Sequence, residues 1–119
     1  MSSYSTVTAV TKSEEQLQAQ IFQWHWNNVP SERGLLFHVN QKARNAIEGN
    51  RMKAMGVVSG VSDLIYLKPG GQIILMELKM EDGRQSSAQV EWEQKVKQAG
   101  YDYRIVRNLE QAIQVFTKP

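Results

Sequence analysis

Three charged residues, Asp63, Glu77 and Lys79, stand in an otherwise largely apolar stretch, GVSDLIYLKPGGQIILMELK. Carboxylate oxygens are ligands of hard divalent cations such as Mg²⁺, and an ammonium group beside them offsets part of their charge. Burying two carboxylates side by side is unfavourable unless their charge is compensated. The residue types therefore indicate a divalent-cation site. A salt bridge between Glu77 and Lys79 at an exposed strand end, with Asp63 in a turn, is the simpler alternative.

The same stretch predicts a β-hairpin, because aliphatic and β-branched residues flank the turn at residues 69–71 on both sides. Side chains alternate faces along a strand, so Glu77 and Lys79 project from one face and apolar neighbours project from the other. A turn of this length places Asp63 directly opposite Glu77. Like charges in that arrangement destabilise a hairpin, which strengthens the expectation of a bound cation.

Helix-capping signals and hydrophobic periodicity define the elements around the hairpin. The S-x-x-Q capping box begins one helix at Ser13 and another at Ser86. We also expect short strands at residues 34–39 and 101–106, and a final helix capped by Asn108. The order α-β-β-β-α-β-α, with an antiparallel hairpin and a later crossover, predicts an α/β fold in which helices flank a mixed β-sheet.

A basic segment of irregular pattern, residues 40–56, immediately precedes the acidic hairpin. Its cations are Lys42, Arg44, Arg51 and Lys53, against a single glutamate. A carboxylate cluster alone would repel a phosphodiester, so cations beside it favour a nucleic-acid partner. A solvated charged face is the simpler alternative, and no aromatic residues interleave with the cations to stack bases.

Length and composition limit the possible classes of protein. The 119 residues have room for one ordinary domain, and we expect a flexible arm at residues 1–12 followed by a single domain at residues 13–119. No apolar run approaches a membrane span, so no membrane association is expected. Cysteine is absent, which excludes disulfides and thiolate metal sites, and a cytoplasmic location is expected. The net charge of +2 permits nucleic-acid binding.

Together these motifs resemble the PD-(D/E)xK nuclease superfamily, and specifically its virus-type replication-repair nuclease (VRR-NUC) domain. The resemblance covers the chain from about Glu14 to Phe116, with Ser62 standing where the family usually has proline. It implies a restriction-endonuclease-like αβββαβ core, in agreement with the predicted order of elements. The residues that carry it are G60-V-S-D63, E77-L-K79, Gly83 and S86-S-A-Q89.

The resemblance also implies a metal site. Asp63 and Glu77 would bind Mg²⁺ or Mn²⁺, with the backbone carbonyl of Leu78 as a further ligand. A glutamate on the first helix would complete the shell directly or through water. We expect Glu15 in this role, with Glu14 as the alternative, because Glu14 shares a helix face with the apolar stripe.

Two further residues receive roles from the resemblance. Lys79 would orient or activate the attacking water, and Gln89 would help to position that water or Lys79. Gln89 is equally suited to the capping box of its own helix, which would turn its side chain back to the helix end. His38 is a possible ligand, although a lone histidine beside a strand is more often structural.

The function implied is a metal-dependent DNA endonuclease. Small standalone members of the family look like phage or viral enzymes of replication, recombination or repair, which act as homodimers on branched DNA such as Holliday junctions. Location in the host cytoplasm would follow. The alternatives are a non-catalytic DNA-binding module that retains the nuclease fold and an interaction protein with no nucleic-acid role.

Overall fold

Four strands and four α-helices make up residues 13–39 and 42–119, the part of the chain that the computed structural model describes. The expected arm at residues 1–12 lies outside the described residues. A 3₁₀ turn at Pro30–Glu32 follows the first helix. The elements in chain order are α1 (Glu14–Asn28), β1 (Leu36–His38), α2 (Ala46–Ala54), β2 (Leu64–Lys68), β3 (Gln72–Leu78), α3 (Ser87–Gln98), β4 (Asp102–Val106) and α4 (Leu109–Thr117).

The strands form one mixed sheet in the order β1-β2-β3-β4. β1, β2 and β3 pair antiparallel, whereas β4 pairs parallel to β3 after the chain crosses over through α3. A parallel pair requires such a crossover connection, and a helix usually provides it. The predicted mixed sheet flanked by helices is therefore confirmed.

Helix α2 was not predicted, because the basic segment was interpreted as irregular. The side chain of Asn45 caps it by accepting a hydrogen bond from the Glu48 backbone N–H at 2.8 Å. None of the helix residues is buried. The prediction was wrong because a helix that packs no apolar stripe against the core shows no hydrophobic periodicity in its sequence.

The hairpin has the register that a three-residue turn requires. Lys68 lies opposite Gln72, and Leu64 lies opposite Met76. β2 begins at Leu64, so the same register carried back by one residue brings Asp63 beside the end of β3. The register thus places Asp63 close to Glu77.

The main core lies between the sheet and the pair of helices α1 and α4. Trp24 of α1 stacks on Phe116 of α4 with ring centroids 6.1 Å apart. The apolar face of β3 points into this core, as the alternation of its side chains predicts. The strand residues buried there are Leu36, Leu64, Tyr66, Ile74, Met76, Leu78 and Val106.

Helix α3 covers part of the opposite sheet face. Trp92 of α3 meets Tyr103 of β4 edge to face at 6.0 Å, and Tyr103 is buried. Trp92 is only partly buried. The charged face of β3 therefore lies beneath α3, while the apolar face packs on the other two helices.

A polar contact is built into the main core. Glu32 accepts a hydrogen bond from the Tyr66 hydroxyl at 2.6 Å and contacts Nε2 of the buried His25 at 3.0 Å. Burial and the adjacent Glu32 raise the pKa of Tyr66, so the hydroxyl stays protonated and donates. This contact joins β2 to the 3₁₀ turn and α1.

Replacing Tyr66 by Phe removes the donor and leaves the part-buried Glu32 carboxylate with one partner fewer. We expect Tyr66→Phe to lower the free energy of unfolding by about 1 to 3 kcal/mol. Tyr101→Phe is the matched control, because Tyr101 is 49% exposed and its loss should cost less than about 0.5 kcal/mol. Equal urea midpoints for the two variants would contradict a stabilising role of the Tyr66 contact.

Candidate active site

Backbone contacts from two strands fix the position of Asp63. One carboxylate oxygen, Oδ2, accepts a hydrogen bond from the Leu78 N–H at 2.8 Å, which ties the side chain to the end of β3. The Asp63 carbonyl accepts from His38 Nδ1 at 2.8 Å and from the Val39 N–H at 3.4 Å. A carbonyl only accepts, so Nδ1 carries the proton of His38. The histidine therefore positions Asp63 from the side of β1.

Glu77 is the most deeply buried charged side chain of the site, with 1% of its surface exposed. Burial, followed by the negative charge of Asp63, raises the pKa of Glu77 to about 8, and Lys79 lowers it in part. Of its two oxygens, Oε2 accepts a hydrogen bond, whereas the buried Oε1 has no hydrogen-bond partner among the described residues. Two close carboxylates and an open oxygen need a positive group to compensate them.

Gln89 makes the capping contact and also a contact inside the site, whereas its role toward the water or Lys79 stays a prediction. Its Oε1 accepts from the Ser86 N–H at 2.8 Å, and the Ser86 hydroxyl accepts from the Gln89 N–H at 3.2 Å, which completes the capping box. Its Nε2 donates to Glu77 Oε2 at 3.1 Å. Because the capping contact occupies the amide oxygen, the amide nitrogen is the atom that faces Glu77.

Lys79 follows directly after β3 and is 7% exposed. Its N–H donates to the Val106 carbonyl at 3.1 Å, which fixes its backbone against the end of β4. In the described chain Lys79 forms no ion pair, so its charge acts on Glu77 without a close contact. With both side chains buried, a salt bridge at an exposed strand end does not describe this pair.

A cavity of about 400 Å³ opens beside these residues. It brings Asp63 and Gln89 together with the first turn of α1 and with one residue of the basic segment. Of the two glutamates, Glu14 is the one whose negative charge contributes to the raised pKa of Glu77; the choice of Glu15 as ligand stays a prediction. The lining residues are Glu14, Glu15, Gln18, His38, Lys42, Asp63 and Gln89. Gln18 was not expected, although it lies one turn from both glutamates.

The residues present fit a hard divalent cation held by few protein ligands. No group of three or more His, Cys, Asp or Glu side chains in the described ranges is placed to hold a metal ion. Mg²⁺ is commonly bound by one or two carboxylates, with water and substrate phosphate completing its shell. Asp63 and Glu77 supply two carboxylates, and the unpartnered Glu77 Oε1 is available as a ligand.

The predicted DNA-binding cations are spread along the segment and are not gathered at the site. Lys42 lines the cavity beside Asp63. Arg44 pairs with Glu48 at 2.8 Å and remains 87% exposed. Arg51 lines a separate depression on the outer side of α2, and Lys53 lines the space between α2 and the N-terminal end of α3. Only Lys42 therefore reaches the site itself.

The loop before Asp63 packs closely on the first turn of α3. Gly60 has φ +84°, and a Cβ atom there would lie 2.3 Å from the Ala88 carbonyl oxygen. Ser62, at the position where proline was expected, is fully buried and donates its hydroxyl to the Leu64 carbonyl at 3.4 Å. The absence of a side chain at Gly60 therefore lets the Asp63 loop approach the helix that carries Gln89.

Arg107 was missed by sequence reasoning. Its Nη1 donates to the carbonyls of Met80 at 2.7 Å, Glu81 at 3.2 Å and Gly83 at 2.8 Å, which holds the turn that follows Lys79. No local signal marks this contact, because the partners are backbone atoms more than twenty residues away in sequence.

Comparisons with known proteins identify similar domains. A family model described as "VRR-NUC domain" matches residues 3–108. A solved structure titled "VRR_NUC domain protein" is similar over 92% of this chain and 92% of its own, with 21% sequence identity and a TM-score of 0.68. Another, titled "VRR_NUC domain", is similar over 90% of this chain and 98% of its own, with 17% identity and a TM-score of 0.59.

No curated protein matches the chain. Within the described residues, no helix combines the length and apolar character that crossing a membrane requires.

Gly60→Ala should lower the free energy of unfolding by more than the positive φ of this residue alone explains. Gly56 is the matched control, because it has φ +101° and nothing within 4 Å of an added Cβ. We expect Gly56→Ala to cost about 1 to 2 kcal/mol of stability and Gly60→Ala to cost at least about 1 kcal/mol more, because backbone must move. Urea denaturation measures both. Equal losses would show that the loop does not depend on close contact with α3.

Glu77 should make stability depend on pH when no divalent cation is present. Its folded-state pKa of about 8 exceeds the ordinary value of 4.5, so between these values the folded protein retains a proton that the unfolded chain releases. Stability should fall as pH rises through this range, by at most about 1.4 kcal/mol per pH unit.

Glu77→Gln removes that titration and should flatten the pH dependence. The free energies of unfolding of wild type and variant, measured in EDTA across the range, provide the test. Parallel curves would contradict a raised Glu77 pKa.

Proposed function

Because the chain belongs to the VRR-NUC domain family, we propose that it is a Mg²⁺- or Mn²⁺-dependent DNA endonuclease that acts on branched DNA. The family makes it a nuclease-type DNA-processing domain. The observation that supports metal-dependent cleavage is the pairing of the buried Glu77 with the partly buried Asp63, in which Oε1 of Glu77 has no hydrogen-bond partner among the described residues. Such a pair is unfavourable by itself and becomes favourable when it holds a cation.

Asp63 and Glu77 would hold the metal, with the Leu78 carbonyl as a further ligand and Glu14 or Glu15 acting directly or through water. When bound, the ion supplies charge neutralisation at the phosphate and lowers the pKa of water. The hydrogen bond from Gln89 holds one oxygen of Glu77, so the other oxygen keeps a fixed direction. Gln89 is then a positioning residue that acts through Glu77.

Lys79 would orient or activate the attacking water and stabilise the charge that develops on the phosphate. A compact ammonium suits this role better than the broad fork of a guanidinium. The backbone on both sides of Lys79 is fixed, by β4 through Val106 and by Arg107 through the following turn. This support limits how far the ammonium group can move from the reacting phosphate.

DNA would approach across the basic segment. Lys42 lines the cavity and would contact the phosphate next to the cut, while Arg44, Arg51 and Lys53 would contact phosphates farther along. A homodimer would present two such sites to a symmetric four-way junction. This arrangement suits phage or viral replication, recombination or repair in the host cytoplasm.

Cleavage of labelled four-way junction, flap, single-stranded and linear duplex DNA tests the proposal. Wild type should cut in Mg²⁺ or Mn²⁺ and not in EDTA, with the junction preferred. Lys79→Ala and Asp63→Ala should each reduce the rate by at least about 100-fold. Asp82→Ala is the control for the loss of an acidic side chain, because Asp82 is an exposed turn residue, and it should cut at the wild-type rate.

Gln89→Glu separates the capping role from the role in the site. A glutamate keeps the acceptor for the Ser86 N–H but replaces the donor to Glu77 with a third negative charge. The variant should fold, and its cleavage rate should fall by at least about tenfold. An unchanged rate would show that Gln89 only caps its helix.

Binding without cleavage would reverse the conclusion. If wild type binds DNA and never cuts, and Asp63→Ala and Lys79→Ala bind equally well, the chain is a non-catalytic DNA-binding module that retains the nuclease fold.

A further inference from the structure

The outer side of α2 exposes apolar side chains that no other part of the described chain covers. Ile47 is 81% exposed and Met55 is 73% exposed. Both are spaced four residues from Arg51, and Met55 is the C-cap that directly follows the helix, so the three lie along one side of α2. We call Ile47, Arg51 and Met55 the outer face of α2.

Two cations, Arg44 and Arg51, lie at this apolar surface. Its shallow depression of about 450 Å³ is lined by Arg44, Asn45, Ile47, Arg51, Met52 and Met55, together with Glu48, which pairs with Arg44. The segment carries four cations, Lys42, Arg44, Arg51 and Lys53, against the one carboxylate. A two-fold contact between two copies through this face would bring like charges together. A polyanion is the better complement.

The combination of exposed aliphatic groups and cations fits a particular feature of DNA. Along a regular duplex, phosphates are accessible and the flat faces of the base pairs are stacked on each other. At a branch or a sharp kink, the face of a terminal base pair is open. Side chains such as Ile and Met pack against such open faces in proteins that unstack DNA, while flanking cations hold the phosphates.

Helix α2 follows in the chain shortly after a residue that lines the catalytic cavity. Lys42, a few residues before the start of α2, lines the cavity with Asp63. A DNA strand that continues from the site past Lys42 would therefore meet α2 next. The branch would then lie close to the phosphate that is cut.

We propose that α2 selects branched DNA, with Ile47 and Met55 packing against the open base pair at the branch point and Arg51 holding an adjacent phosphate. This inference rests on the proposed function, since it assigns the substrate preference of that same site. The contact of Ile47 and Met55 with a base pair differs from phosphate binding, because it is available only where base stacking is interrupted.

The test is the double variant Ile47→Thr/Met55→Gln, compared with wild type and with Arg51→Gln. The first two positions are exposed, so folding should be unaffected, and circular dichroism checks this. Binding to a four-way junction and to a linear duplex of the same length is measured in EDTA, at several salt concentrations. The double variant should lose about tenfold in affinity for the junction and less than about twofold for the duplex.

Arg51→Gln should behave differently. It should weaken binding to both DNAs and reduce the steepness of the salt dependence, because it removes a phosphate contact. The double variant should keep the wild-type salt dependence. A 2-aminopurine base at the branch point gives a second readout: its fluorescence should rise when wild type binds and stay low with the double variant.

Three results would overturn the inference, and they differ from one another. Equal losses on junction and duplex, or no loss, would show that the apolar contacts do not read the branch. If wild type is a dimer and the double variant is a monomer that keeps the junction preference, the face belongs to the contact with a second copy of the chain. Wild type that neither binds nor cuts any DNA would overturn the proposed function as well.

Discussion

The burial of Glu77 beside a second carboxylate, Asp63, is the constraint on which the rest of this structure depends. Asp63 lies directly before β2 and Glu77 lies in β3 of the same hairpin. Burial of Glu77, followed by the negative charge of Asp63, raises the pKa of Glu77 to about 8. An arrangement that lowers the stability of the empty protein is retained only if the surroundings hold it firmly. The chain belongs to the VRR-NUC domain family, and in the function proposed for it this pair would hold a cation at the phosphate.

Hydrogen bonds to backbone atoms fix the positions of most of the site residues. Asp63 is fixed from β1 through its carbonyl and from β3 through its carboxylate. The close approach of Gly60 to α3 joins the loop before Asp63 to the helix that bears Gln89. Arg107 fixes the turn after Lys79 by binding three carbonyls. Among the described residues, Oε1 of Glu77 keeps no hydrogen-bond partner under these contacts.

Helix α2, unlike the residues around Asp63 and Glu77, is exposed to solvent. It buries none of its residues, so its sequence is free of the demands of core packing. Its exposed cations and apolar groups are then best explained by a partner outside the chain. In the proposed function the catalytic cavity would hold the cation, α2 would contact the DNA, and the substrate would span both.

The sequence by itself determined the local features. The capping boxes at Ser13 and Ser86 and the alternation along the hairpin predicted helices, strands and a mixed sheet, because each signal acts between neighbours in the chain. The hairpin register also predicted that Asp63 approaches Glu77. Only the tertiary structure decided that the Gln89 amide meets Glu77, since that contact depends on how α3 packs on the sheet.

Two features, the contacts of Arg107 and the helix α2, were missed because no local sequence signal marks them. Arg107 reaches across the fold to backbone carbonyls, which carry no residue-specific signal, and α2 lacks the buried stripe that makes a helix visible in sequence. The basic segment was recognised by its charge, but its distance from the cavity was not predictable. Local chemistry could be read from the chain, whereas contacts between distant elements required the fold.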